Sequence, residues 1–263
     1  MRSGAFTHRR PGAWTARRGL GTAVGGQLAT LVLSGLVLSG LVLGGLGSSG
    51  LGGSRAAAAP AVVGLDVSDH QPRVDWSAVR AAGAQFAYVK ATEGTRFVSR
   101  TFAAQYTGAA RAGLIRGAYH FALPGQSGGA AQARFFVAHG GGWTADGRTL
   151  PGAVDLEADP YGAQCYGLSQ PAMVAWIASF TSTYHALTSR WPVIYTTSGW
   201  WAACTADDAG FGGRDPLWIA GSGIPPGWIR DTFEQFADAG TFPGDQDSFN
   251  GSRGRLVRFA TGG

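Results

Sequence analysis

The chain has 263 residues, 45% of them hydrophobic, and a formal net charge of +5. The excess lies in residues 1–58, which hold 6 arginines and no acid; the remaining 205 residues carry 15 basic and 16 acidic side chains, with Lys90 the only lysine. A nucleic-acid surface needs clustered Lys and Arg, so this balance gives no support for such a partner, whereas 205 residues suffice for one domain with a substantial core.

Arg2, Arg9, Arg10, Arg17 and Arg18 precede a stretch without charge that ends only at Arg55. Within it Leu-Val-Leu-Ser-Gly at 31–35 recurs at 36–40 and, as Leu-Val-Leu-Gly-Gly, at 41–45. With small residues at Ala56, Ala57 and Ala58, this reads as an export signal cleaved after Ala58. A retained membrane anchor is the competing reading, since the stretch is long enough to span a bilayer, but its glycines weaken the helix an anchor needs. Arg17-Arg18 permits a twin-arginine route without requiring it. The expected organisation is therefore a signal at 1–58 and a single domain at 59–263, with no Pro/Ser/Thr-rich linker or repeat interrupting it. Cys165 and Cys204 are the only cysteines; in an exported protein one pair favours a disulfide, and two cysteines this far apart lack the close spacing of a zinc site.

From residue 62, short β-rich runs alternate with segments of helical period, the pattern of a parallel sheet with crossover helices. Val62 to Asp66 reads as a strand, followed by a short helix that Asp75 caps and Gly83 ends. Phe86–Lys90 is the second strand. Phe102, Tyr106, Ala109 and Ala110 mark a helix stopping at Gly113, and Ile115–Phe121 the third strand. A helix across Gly129–His139 leads to a strand at 150–157. Met173, Trp176, Ile177, Phe180, Tyr184 and Leu187 form a core-facing stripe on a longer helix, with Ser169 as its cap and Pro171 in its first turn. Pro192–Tyr195, Pro216–Ala220 and Thr232–Phe236 read as later strands with short or missing helices between them. The expected fold is a modified β/α (TIM-like) barrel with about eight strands and fewer than eight helices; an open doubly wound sheet is the alternative.

The strand at 150–157 ends in Asp155-Leu-Glu157. Side chains alternate along a strand, so 155 and 157 share one face about 7 Å apart. Acids at a strand end are often merely solvated, but Asp66 in Gly64-Leu-Asp-Val-Ser-Asp-His70, Glu93, and Asp245 in Gly244-Asp-Gln-Asp-Ser-Phe-Asn-Gly251 also fall at or just past expected strand ends. In β/α barrels the site lies at the C-terminal strand ends, so these acids are expected to meet there.

Gly64-Leu-Asp-Val-Ser-Asp-His-Gln71, Val89-Lys-Ala-Thr-Glu-Gly94, Gly117-Ala-Tyr-His-Phe121, Asp155-Leu-Glu157, Pro192-Val-Ile-Tyr195, Pro216-Leu-Trp-Ile-Ala220 and Gly244–Gly251 resemble, in this order, the lysozymes of glycoside hydrolase family 25. Any one piece is weakly specific; seven in order across 62–251 are strong. The resemblance implies a cofactor-free N-acetylmuramidase that cuts the β-1,4 bond after N-acetylmuramic acid in peptidoglycan, secreted or associated with the cell wall, and here expected to be a monomer free of nucleic acid and, after signal cleavage, of membrane. By motif, Glu157 matches the general acid, and Asp155, Asp66 and Asp245 the acids around the scissile sugar. Asp155 is either nucleophile and charge stabiliser or the residue that orients the substrate's 2-acetamido group. Glu93, Tyr119, Tyr195, Trp218 and Gln235 are the expected substrate-binding residues, and no metal is expected.

Tyr119, Tyr195, Trp218, Phe236 and Phe249 lie near expected strand ends where rings can stack on sugars, although about half of such aromatics are expected to be packing. His70 and His120 read as hydrogen-bonded structural histidines. The chain departs from the family pattern at Glu234, where members commonly carry a Trp before the glutamine, and at Ser222, where a Tyr is common; both bear on sugar affinity. An endo-β-N-acetylglucosaminidase using the same Asp-x-Glu pair and a non-catalytic peptidoglycan-binding protein are the alternatives.

Overall fold

A computed structural model describes residues 61–263. The expected export signal and its cleavage point lie outside the described residues. Among those described, no helix is long and apolar enough to cross a membrane.

The strands are β1 (Val62–Val67), β2 (Phe86–Glu93), β3 (Phe97–Val98), β4 (Ile115–Phe121), β5 (Ala153–Asp155), β6 (Val193–Thr196), β7 (Leu217–Ala220), β8 (Phe233–Ala237) and β9 (Asp245–Phe249). The helices are α1 (Trp76–Ala81), α2 (Phe102–Arg111), α3 (Gly129–Phe136), α4 (Gln170–Thr188), α5 (Ser198–Thr205) and α6 (Arg253–Thr261). Strands β1, β2, β4, β5, β6, β7 and β8 pair in parallel, β9 pairs antiparallel to both β8 and β1, and the β1–β2 pairing closes the ring. The short β3 folds back on the end of β2, outside the ring. Closure excludes the open doubly wound sheet.

Period-two alternation fixes which side chains fill the barrel. Along β1 and β2, Val62, Phe86 and Tyr88 join the interior cluster with Tyr119, Trp218, Phe233 and Phe249, while Leu65, Val67, Ala87 and Val89 pack outward with Trp76 and Val79 of α1 and Ala109 of α2. A third cluster binds β4 to β7 to α3, α4 and α5 through Phe136, Trp176, Phe180, Ile194 and Trp201. The floor is closed by α6, whose Leu256 and Ala260 are fully buried in the interior cluster.

Local chemistry explains most element ends. The Asp75 carboxylate accepts from the backbone N–H of Ala78 and caps α1, and Gly83, with φ +105°, turns the chain out of it. Ser169 stands at the N-cap of α4 but makes no capping bond with its side chain; Pro171 supplies the start. The expected helix over Gly129–His139 stays α-helical only to Phe136 and ends in a π-turn, because His139 and Gly140 leave helical geometry.

Two further corrections concern the site. The strand expected at 150–157 is ladder-paired only over Ala153–Asp155, so Glu157 lies in the loop beyond it; the register persists one residue further through Leu156 N–H donating to the Tyr195 carbonyl. Asp245 is not at a C-terminal strand end. It opens β9, and because β9 runs backwards its beginning reaches the mouth while its end, Phe249, drops to the base.

Cys165 and Cys204 form a disulfide with Cα atoms 5.4 Å apart across 39 positions. It ties the loop after β5 to α5. Closing a loop of this size is worth about 3–4 kcal/mol in the chain-entropy model, so reduction should lower the thermal midpoint, read by calorimetry with and without reductant, while kcat at 25 °C changes little. An unchanged midpoint would contradict a stabilising link.

Candidate active site

The mouth of the barrel is built from inward-facing positions. Asp66 near the end of β1 and Asp245 at the start of β9 are register partners. That pairing needs Gly244: its φ is +80°, and a Cβ there would lie 2.2 Å from the Asp66 carbonyl oxygen. Any other residue would push the entering strand away from β1.

Gln235 of β8 holds the two acids together. Its Nε2 donates to Asp66 Oδ2 at 2.7 Å and to Asp245 Oδ2 at 3.2 Å, and its Oε1 accepts from the Tyr195 hydroxyl at 2.8 Å. Both amide protons are spent on carboxylates, so Gln235 acts here as a positioning residue. Hydrogen bonds to charged groups are worth about 1.5–3 kcal/mol; Gln235→Leu should therefore lower kcat/KM by roughly 10- to 100-fold, and by removing donors that favour the ionised acids it should move the acidic limb of the pH profile upward. A profile of unchanged shape would argue against the bridge.

On the other side, Asp155 closes β5 with Glu157 two residues on. Asp155 is buried, and its Oδ1 has no hydrogen-bond partner among the described residues. Glu157 is half-buried and accepts no hydrogen bond from any described residue. Burial dominates the titration of every member. It pushes Glu157 up to about 7, with Lys90 opposing and Asp245 adding to the rise, and Asp245 up to about 6, with help from Asp238. Asp155 is raised well above the usual range by burial and then by Glu157, and Asp66 by burial and then by Asp245, against the Gln235 hydrogen bond. Crowded carboxylates in a low-dielectric mouth share fewer protons with water and hold at least some into the neutral range.

Two site residues escaped the sequence reading. Asp247, two positions into β9 from Asp245, is fully buried, accepts from Trp218 Nε1 at 3.0 Å, and is raised by burial and then by Asp66. Strand alternation could have found it, because residues 245 and 247 must face the same way. Lys90 brings a positive charge to the mouth, felt by Glu157 and Asp155, and pairs with Glu93 at 2.6 Å. Its position in β2, two after Tyr88, carried the same signal.

Glu93 is engaged by Lys90 and by the Tyr161 hydroxyl at 2.8 Å. Trp218 is corrected from a sugar platform to an interior residue: it is 2% exposed, stacked on Tyr88 at 4.8 Å and edge-on to Tyr195 at 5.0 Å. Phe249 is core at the base, against Phe233 and Phe259. Tyr119 is mostly buried, Tyr195 keeps a partly exposed ring at the mouth, and Phe236, facing outward at the β8 irregularity, is 52% exposed. His120 is a structural residue as expected: its Nε2 faces Gln132 Oε1 at 2.9 Å and its Nδ1 the Thr92 hydroxyl at 2.7 Å, and burial lowers it to about 4. His70 differs, being exposed with no ring hydrogen bond to a described residue. Among the described residues no cluster of His, Cys, Asp and Glu has the arrangement of a metal site.

This acid-rich barrel mouth has relatives. The sequence model of glycosyl hydrolases family 25 matches residues 65–245, the span from β1 through the first residue of β9. The chain belongs to that family. An N,O-diacetylmuramidase of Arthroderma benhamiae is 49% identical over 222 residues, covering 79% of this chain and 94% of the relative. Lysozyme M1 of Streptomyces globisporus is 47% identical over 214 residues, covering 78% and 73%. Among solved structures, a muramidase from Acremonium alcalophilum superposes with a TM-score of 0.75 at 53% identity, covering 77% of this chain and all of that one. As a member of family 25 the protein is a glycoside hydrolase on a modified β/α barrel, and its acids can be assigned within glycosidic-bond chemistry.

Proposed function

We propose that the protein is an exported, monomeric lysozyme that hydrolyses the β-1,4 bond between N-acetylmuramic acid and N-acetylglucosamine in peptidoglycan, with retention of configuration. The observation that carries this reading is Glu157, half-buried at the rim of the mouth and raised to about 7, beside the buried Asp155. A glycosidic oxygen leaves only when protonated, and an acid that titrates near neutrality donates efficiently there. Glu157 is the proton donor to the leaving oxygen and, in the second half-reaction, the base for water.

Asp155 orients the 2-acetamido group of the sugar, whose carbonyl oxygen attacks the anomeric carbon as the leaving group departs. Its unpartnered Oδ1 suits an acetamido N–H, and its position two residues before Glu157 puts both groups at one sugar. Asp66 and Asp245, held by Gln235, supply negative potential to the developing oxocarbenium charge. Tyr195 and Tyr119 border the sugar, while Trp218 acts from beneath by holding Tyr195 and Asp247. The names of the relatives, N,O-diacetylmuramidase and lysozyme, support the substrate class.

The test is digestion of purified peptidoglycan by the mature protein and by Glu157→Gln, with reduction of the products and mass spectrometry of the new ends. Muramic-acid ends that need Glu157 are expected. N-acetylglucosamine ends would make the enzyme a glucosaminidase, and wall binding without new ends would make it a binding protein.

A further inference from the structure

We propose that the base of the barrel carries a second site, a phosphodiester-binding cleft that holds the enzyme on an anionic polymer attached to the peptidoglycan. Between the start of β8, the end of β9 and α6 lies a cleft of about 300 Å³ lined by Arg230, Arg255, Arg258, Asp231, Phe249 and Phe259. Arg255 and Arg258 stand three apart on α6 and share a face, and Arg230 meets them from the turn before β8.

Among the described residues some arginines elsewhere are anchored. Arg190 donates to the carbonyls of Phe259 and Gly262, Arg116 to the Arg148 carbonyl, and Arg214 to Asp215. Others, such as Arg73, Arg96, Arg100, Arg111, Arg134 and Arg148, have no side-chain partner; what sets the cleft apart is that three arginines converge on one concavity. The three at the cleft are exposed, and none lies within ion-pair distance of a carboxylate among the described residues. Asp231 is the one acidic side chain of the lining, which also includes Gly263, and its Oδ1 already accepts from Asn250. Arg253 and Arg255 also sit in the first turn of α6, which holds no acid. Cations there oppose the helix dipole, and like charges around one concavity repel. An anion in the cleft would offset both.

Guanidinium forks match phosphate oxygens in pairs, and several arginines around one cleft suit successive phosphates of a chain. The half-buried Phe259 offers apolar surface to the carbon spacer between phosphates. Placement supports the same reading. The cleft lies at the far end of β9 from Asp245, about 13–14 Å along the strand, so a polymer bound at the base leaves the acidic mouth free for the glycan. The mouth would itself repel such a polymer. Clustering by the fold also amends the charge argument: a chain with no basic run still gathers three arginines at one place.

The inference takes the identity of the wall from the muramidase reading, but its test needs no hydrolysis. A fluorescent poly(glycerol phosphate) oligomer would be titrated into mature protein and into the Arg255→Ala/Arg258→Ala double variant. Anisotropy should show salt-sensitive binding that weakens at least tenfold in the double variant, with unfolding midpoint and turnover of short soluble glycans unchanged. Pelleting of Glu157→Gln protein with walls should likewise fall when the walls are stripped of phosphodiester polymer by hydrofluoric acid. No binding of the oligomer, equal binding of polyglutamate, tighter binding of duplex DNA at matched phosphate, or binding indifferent to the two substitutions would each overturn the proposal. If the double variant fails to fold, Arg230→Glu, in the preceding turn, gives the same reading.

Discussion

Glu157→Gln is expected to reduce kcat on peptidoglycan by about 10²- to 10⁴-fold, the usual contribution of a positioned general acid, with little change in KM. The amide keeps the shape of the side chain and removes its proton. The wild-type profile should fall as pH rises through about 7, where Glu157 loses that proton, and should fall again on the acid side as Asp245, near 6, and its neighbours become protonated. The variant also makes a prediction about stability with a definite sign. A carboxyl raised in the folded state binds its proton more tightly there than in the unfolded chain, so its linkage favours folding below the unfolded value of roughly 4.3 and works against folding as pH climbs toward the folded value. Glu157→Gln should therefore melt higher than wild type at pH 8 and lose that advantage by pH 4. A variant that keeps normal turnover would remove Glu157 from the chemistry; one that melts lower at pH 8 would show that burial does not strain it.

Asp155→Asn should be nearly as severe, about 10²- to 10³-fold in kcat, the range for removing one preorganised electrostatic group. The charge lost is the one facing the acetamido N–H. If that group is the nucleophile, replacing the N-acetyl substituent of a soluble substrate by its mono-, di- and trifluoroacetyl analogues should slow wild-type kcat progressively, because fluorine withdraws electrons from the attacking carbonyl oxygen. Asp155→Asn should show a different dependence. A wild-type rate indifferent to fluorination would make Asp155 itself the nucleophile, and NMR of the first-formed anomer would still report retention.

The crowding that makes these acids useful is a cost to the fold. Asp66, Asp155 and Asp247 are all buried, and each is pushed upward by burial before any neighbour acts. Gln235, Trp218 and Lys90 offset part of this with donors or charge. Such a site is stabilised from outside itself, by the aromatic interior beneath it and by the Cys165–Cys204 link beside it.

The sequence by itself determined the alternation of strands and helices, the approximate limits of most elements and the acids, Asp66, Asp155, Glu157 and Asp245, that the fold gathers at the mouth. These features are local. Period-two runs such as Val62–Asp66, the cap at Asp75, the glycines at 83 and 113 and the stripe on α4 are dictated by backbone geometry within a few residues. The ordered motifs added the family, because their order survives whatever the packing does. The tertiary structure alone decided the rest. A strand's direction depends on partners far along the chain, so the antiparallel course of β9, which lifts Asp245 to the mouth and lowers Phe249 to the base, left no local trace. Whether Trp218 stacks on a sugar or fills the interior depended on Tyr88, 130 positions away. Gln235 looked like a sugar ligand until its amide was seen between Asp66 and Asp245, and the arginines of the base, scattered between 230 and 258, became a cluster only when β8, β9 and α6 met. Direction, burial and convergence are set by contacts between distant residues, which only the folded chain brings together.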